Sequence, residues 1–169
     1  MIRVLVSSCL LGEPVRYHGG DAHCESGILD RWRAEGRLLP ICPETAAGLP
    51  VPRPPAEIVG GDGAAVLRGT AQVGDGTGVD VTAAFLSGAR ATLEIAVTRG
   101  ARLAVLKDGS PSCATTYLYD GSFRGQRDNG MGVTATMLAE AGIRLFNETQ
   151  LEEAARFLES LEREAETTR

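Results

Sequence analysis

The sequence predicts an α/β fold built as a single domain over 1–169, and three observations carry that expectation. Four short apolar runs, Ile2–Val6, Leu38–Ile41, Leu103–Leu106 and Ile143–Phe146, have the length and all-round hydrophobicity of buried strands. Segments of helical period alternate with them, which favours a mostly parallel sheet flanked by helices. Three of the runs lead straight into polar loops, and each of those loops carries a cysteine: Cys9, Cys42 and Cys113. Neighbouring parallel strands would bring the three thiols to one sheet edge. The expected architecture is therefore Rossmann-like, with a site at the C-terminal ends of the strands.

Taken in order, Ile2–Val6 is the first strand, and residues 12–21, with Pro14 and Gly19-Gly20, form a loop. A helix starts near Glu25 or Ser26, puts Ile28, Leu29 and Trp32 on one face and ends at Gly36. Leu38–Ile41 is the second strand. Five prolines between Pro43 and Pro55 predict irregular chain. Residues 60–78 are glycine-rich, and the alternation in 66–73 predicts a small hairpin-like excursion. Gly74–Gly78 fits neither phosphate-binding glycine motif and reads as a surface turn. From Val81 to Thr98 the period is helical, with Phe85, Leu86, Ala89, Leu93, Ala96 and Val97 on one face and Asp80 or Thr82 as cap. The strand Leu103–Leu106 follows. Asp120-Gly121 marks a turn and residues 125–132 a loop. A helix over 133–141 and the strand Ile143–Phe146 come next. A capping box, Thr149-Gln-Leu-Glu152, opens a terminal helix over 149–166 that turns Leu151, Ala155, Leu158 and Leu161 inward.

The net charge is −5 and aromatic residues make up 5% of the chain. That balance disfavours a general nucleic-acid surface or a base-stacking strip for single strands. No run is long enough to span a membrane, and Met1–Val6 is too short for a signal segment. A cytoplasmic protein with reduced thiols is expected, so its four cysteines suit metal binding, catalysis or the core better than disulfides.

No Cys-x-x-Cys occurs, which removes zinc ribbons and thioredoxin-type motifs. The three loop cysteines are 33 and 71 residues apart, so only a folded sheet can unite them. Thiolates select soft metals and iron–sulfur clusters, and three of them without a nearby histidine suit a cluster with one iron open. The plainer alternative is that each is a small buried hydrophobe. Cys24, beside His23, reads as a free thiol, with a fourth ligand as the alternative. His18 and His23 read as solvated. Glu44, two residues after Cys42, is the candidate general acid/base. Ser110 and Ser112 flank Pro111; they either donate to a ligand or tie the turn. Lys107 and Arg53 are the cations nearest in sequence and are candidate substrate-binding groups.

Together these residues carry a resemblance. Ser7-Ser-Cys-Leu-Leu-Gly12 with Val15-Arg-Tyr17, Cys42-Pro-Glu44, Pro52-Arg-Pro54 with Glu57-Ile58, Asp80-Val-Thr82, Lys107 with Ser110-Pro-Ser-Cys113, and Tyr119-Asp-Gly121 resemble the DUF523 family, in order, over about residues 2–147. The resemblance implies a [4Fe-4S] cluster on Cys9, Cys42 and Cys113, with a fourth iron open to the sulfur of a thiolated base. It implies catalytic roles for Glu44 and Ser110, and a non-redox desulfuration of a 2-thiouracil-like nucleobase or nucleoside that releases sulfide. The rival readings are a cluster-containing binding protein or sensor without turnover, and a metal-free cysteine hydrolase.

Overall fold

The computed structural model describes all 169 residues. The chain runs β1 (Arg3–Ser7), a 3-10 turn (Ser8–Leu11), α1 (Gly27–Ala34), β2 (Leu38–Ile41), α2 (Pro43–Ala46), β3 (Ala56–Val59), α3 (Gly63–Arg68), β4 (Gln72–Asp75) and α4 (Thr82–Thr98). It continues with β5 (Ala101–Leu106), β6 (Tyr117–Tyr119), β7 (Arg127–Asn129), α5 (Val133–Glu140), β8 (Arg144–Asn147) and α6 (Leu151–Thr167). β2, β1, β5 and β8 form a parallel sheet in that order. The chain moves from β1 outward to β2, then returns to the other side of β1 for β5. The strand order therefore reverses between β1 and β5, and a crevice opens at such a point above the C-terminal strand ends.

Alternate residues of each strand face opposite layers. Val4, Val6, Leu103, Val105 and Phe146 pack with Leu29 and Trp32 of α1 and with Leu151, Ala154, Ala155 and Leu158 of α6. Leu5, Leu39, Ile41, Ala104 and Leu106 pack with Ala96 of α4 and with Ala135 and Leu138 of α5. Both faces are covered, which is why the strands read as continuous apolar runs. A third cluster, including Ile58, Val66, Val73, Phe85 and Leu118, joins the excursion to α4.

Several sequence expectations needed correction. Pro43 does not break the chain but starts α2 at its first helical position, where a missing N–H costs nothing. The alternating stretch 66–73 is not one strand. Its first half completes α3, capped by the Asp62 carboxylate, and its second half opens β4, which pairs antiparallel with β3. Within the expected loop 125–132, β7 pairs with β6 although it is wholly exposed. The capping box at Thr149 does not form: α6 starts at Leu151 with Gln150 as N-cap, so Thr149 lies one residue outside the cap, and its hydroxyl donates to Asn147 Oδ1 at 2.6 Å.

Two glycines bring helices close enough to place the cysteine loops. A Cβ on Gly88 of α4 would stand 2.1 Å from the Pro43 carbonyl oxygen, and one on Gly132, ahead of α5, 2.5 Å from the Ser112 backbone. Gly88→Ala must push α4 off the turn that follows Cys42. A loss of about 1–3 kcal/mol is expected from the shift in urea midpoint, and an unchanged midpoint would mean that the two helices separate freely.

Candidate active site

A cavity of about 350 Å³ opens above the β2-β1-β5 strand ends. Every candidate cluster, catalytic and substrate-binding residue from the sequence lines it: Cys9, Cys42, Cys113, Glu44, Arg53, Lys107, Ser110 and Ser112. Cys9 enters from the 3-10 turn after β1, Cys42 from the end of β2, and Cys113 from the loop after β5. Cys24 lies elsewhere, in a hollow between α1 and α6 with Glu148 and Gln150, and neither histidine reaches the cavity.

Burial pushes the Cys9 thiol up to about 11, against the opposing pull of Arg16 and Lys107. It pushes Cys113 up to about 12, against hydrogen bonds from the Ser7 and Ser112 hydroxyls. In the metal-free chain both are neutral at pH 7, and a bound metal would have to drive their deprotonation. The donor set is three thiols brought from three separate strand ends into one cavity that no histidine lines. Sulfur donors of this kind suit a soft metal or an iron–sulfur cluster.

The polar side chains beside the thiols form one chain of hydrogen bonds. Ser110 Oγ accepts the backbone N–H groups of Ser112 (3.1 Å) and Cys113 (3.2 Å) and lies 2.9 Å from Ser112 Oγ. Ser112 Oγ donates to Glu44 Oε2 at 3.2 Å, and Arg53 Nε donates to Glu44 Oε1 at 3.3 Å. Arg53 Nη1 and Nη2 also donate, to the carbonyls of Pro50 and Val15. Lys107 Nζ is held by the Asp108 carbonyl (2.9 Å) and Glu148 (3.3 Å). Arg53 and Lys107 thus reach the cavity with partners already in place, and Ser110 ties the turn that presents Cys113.

Asp108 is the member that the sequence reading passed over. Its Oδ1 accepts the N–H groups of Gly109, Thr115 and Thr116, and its Oδ2 accepts the Thr116 hydroxyl and Asn147 Nδ2. Burial alone would raise its pKa, but the Thr116 hydroxyl and the backbone N–H groups outweigh it and hold the carboxyl below 3.8. Asp108→Asn turns an amide NH₂ towards other donors and is expected to cost at least about 2 kcal/mol at pH 7. A depressed folded-state pKa contributes stability above the unfolded value and loses it as pH falls through the folded value. The gap between wild type and variant should therefore close below about pH 4. Urea titrations at neutral and acid pH measure both effects, and equal midpoints at pH 7 would remove Asp108 from this role.

The family model described as 2-thiouracil desulfurase matches residues 4–150. The chain belongs to that family. The matched span runs from β1 through β8 and includes every cavity-lining residue named above. Uncharacterized protein YbbK of Bacillus subtilis (strain 168) is 42% identical over 148 residues, which is 88% of this chain and 97% of that protein. A solved structure, the [4Fe-4S]-dependent thiouracil desulfidase TudS (DUF523Vcz), superposes with a TM-score of 0.86 at 44% identity, covering 94% of this chain and 99% of that one. The sequence-level resemblance to DUF523 and the expected fold class both hold. No helix is long and apolar enough to cross a membrane.

Proposed function

We propose that the chain hydrolyses the C–S bond of a thiolated pyrimidine of the 2-thiouracil type and releases sulfide, with a [4Fe-4S] cluster held by Cys9, Cys42 and Cys113 and one iron left without a protein ligand. The observation that carries this reading is the meeting of three strand-end thiols and the Glu44 carboxylate in one cavity. Bound there, the cluster supplies a Lewis-acidic iron for a thiocarbonyl sulfur.

The chain's own residues do the rest. Glu44 takes a proton from the water that adds to the thiocarbonyl carbon and returns it as the C–S bond breaks. Ser112 and Arg53 fix the two carboxylate oxygens, so the proton acceptor is oriented before substrate arrives. Ser110 holds Ser112 and Cys113 in register. Water and a thiocarbonyl become sulfide and a carbonyl, and no electrons are exchanged.

The metal-free hydrolase is disfavoured by the same cavity. Its nucleophile would have to be a thiolate activated by a neighbouring base, yet no histidine lines the site, and burial pushes Cys9 and Cys113 up to about 11 and 12. Anaerobically reconstituted protein is expected to release one sulfide per 2-thiouracil consumed and to form uracil. Iron-loaded protein that binds 2-thiouracil without releasing sulfide would favour the sensor instead.

A further inference from the structure

Phe123 is the one non-glycine residue with a positive φ, 58°. A bulky side chain is seldom found there, because the conformation is costly and persists only where its surroundings enforce it. Here they do. Glu57 Oε1 accepts the N–H groups of both Gly121 (3.0 Å) and Phe123 (3.2 Å). Gly121 packs so tightly on β3 that a Cβ would lie 2.7 Å from the Ile58 carbonyl oxygen. The Asp120 N–H donates to the Gln126 carbonyl at 2.9 Å, and Asp120 Oδ1 accepts the Ser122 N–H at 2.9 Å.

This enforced turn presents a ring. Phe123 lines the cavity yet is 39% exposed. Of the four aromatic side chains at the cavity, it alone has no ring or cation against it. Tyr17 meets His18 edge-on at 4.9 Å, Tyr117 and Tyr119 meet at 6.2 Å, and the Arg127 guanidinium lies 4.3 Å from the Tyr117 centroid. Near the thiols, Ser110, Ser112, Glu44 and Arg53 already bond to one another, so they have little left for holding a flat heterocycle. A free aromatic face supplies that affinity without any hydrogen-bond pattern.

We propose that Phe123 is the platform on which the substrate's planar ring stacks, and that Glu57 is the positioning residue that holds it there. This rests on the desulfuration reading for the identity of the base but is tested separately from it. Asn tolerates a positive φ, so Phe123→Asn removes the ring while keeping the turn, the cluster absorbance and the unfolding midpoint. Phe123→Tyr restores a ring face.

The experiment compares cluster-loaded wild type with these variants. Equilibrium dialysis gives uracil affinity, and sulfide release gives the kinetics on 2-thiouracil. Phe123→Asn is expected to weaken uracil binding about ten-fold or more and to raise KM by a similar factor, with kcat changed by less than about two-fold. Phe123→Tyr should behave as wild type. Glu57→Ala should reproduce the KM shift, and Glu57→Gln, which keeps the acceptor oxygen, should rescue it. Uracil bound equally well by wild type and Phe123→Asn would overturn the proposal, as would a wild type that retains no uracil. A wild type that binds uracil through Phe123 but releases no sulfide would keep the platform and sink the desulfuration.

Discussion

Cys9→Ala, Cys42→Ala and Cys113→Ala proteins, reconstituted anaerobically, are each expected to hold no [4Fe-4S] cluster, while Cys24→Ala holds the wild-type amount. The reason is positional. The first three thiols meet in one cavity from three strand ends, and Cys24 opens into a separate hollow beside Glu148. Removing one of the three proposed thiolates would leave two protein ligands for a cluster whose irons are held by cysteine sulfur. Alanine is small and apolar, so the buried positions of Cys9 and Cys113 should keep their fold, which far-ultraviolet circular dichroism checks. Iron and acid-labile sulfide counts decide the result. A Cys24→Ala protein without iron would mean four protein ligands, leaving no iron for substrate.

Glu44→Gln is expected to keep the cluster and to lose 10²- to 10⁴-fold, roughly, in kcat on 2-thiouracil. Glutamine fills the same volume, can still accept from Arg53, and can meet the Ser112 hydroxyl by rotation of that hydroxyl. What it lacks is the ability to take a proton. Turnover and cluster absorbance are measured on the same preparation. Wild-type turnover with the cluster intact would remove Glu44 from the chemistry. Ser110→Ala makes an instructive contrast, because Ser110 holds two backbone N–H groups of the Cys113 turn. Its replacement acts on the placement of Cys113 as well as on rate.

Much of this site is legible in the sequence because strand ends are easy to read in a parallel sheet. An apolar run buried on both faces announces itself, and the residue that follows it must lie at the sheet edge. Cys42 is placed by that rule alone, and Glu44 follows two residues later. The motif pairs are legible as words but not as contacts. Val15-Arg-Tyr17 and Pro52-Arg-Pro54 meet because Arg53 donates to the Val15 carbonyl, and Glu57 meets the Tyr119-Asp-Gly121 turn through backbone N–H groups. Contacts to main chain leave no complementary residue type for a reader to find. Asp108 is hidden for the same reason, since three of its partners are amides. β7 is missed because Arg-Asp-Asn is exposed and has no apolar alternation, being held by its pairing with β6. The Thr149 box fails because α6 starts one residue later, at Leu151, which leaves Thr149 outside the cap position.

The spread of the three thiols over β1, β2 and β5 has a consequence for how the protein is made and unmade. No two of them are neighbours along the chain, so an unfolded polypeptide offers iron only isolated cysteines. The Cys113 loop is further locked by Asp108 to Asn147 at the end of the last strand, so the proposed ligand set would be complete only after almost the whole sheet has assembled. With that ligand set, cluster insertion would follow folding rather than accompany synthesis, and the cluster's absorbance would serve as a gauge of global integrity. In a denaturant titration under anaerobic conditions, loss of iron absorbance and loss of helical circular dichroism should fall on one curve. Iron that left well before the helices melted would mean that the three loops open on their own.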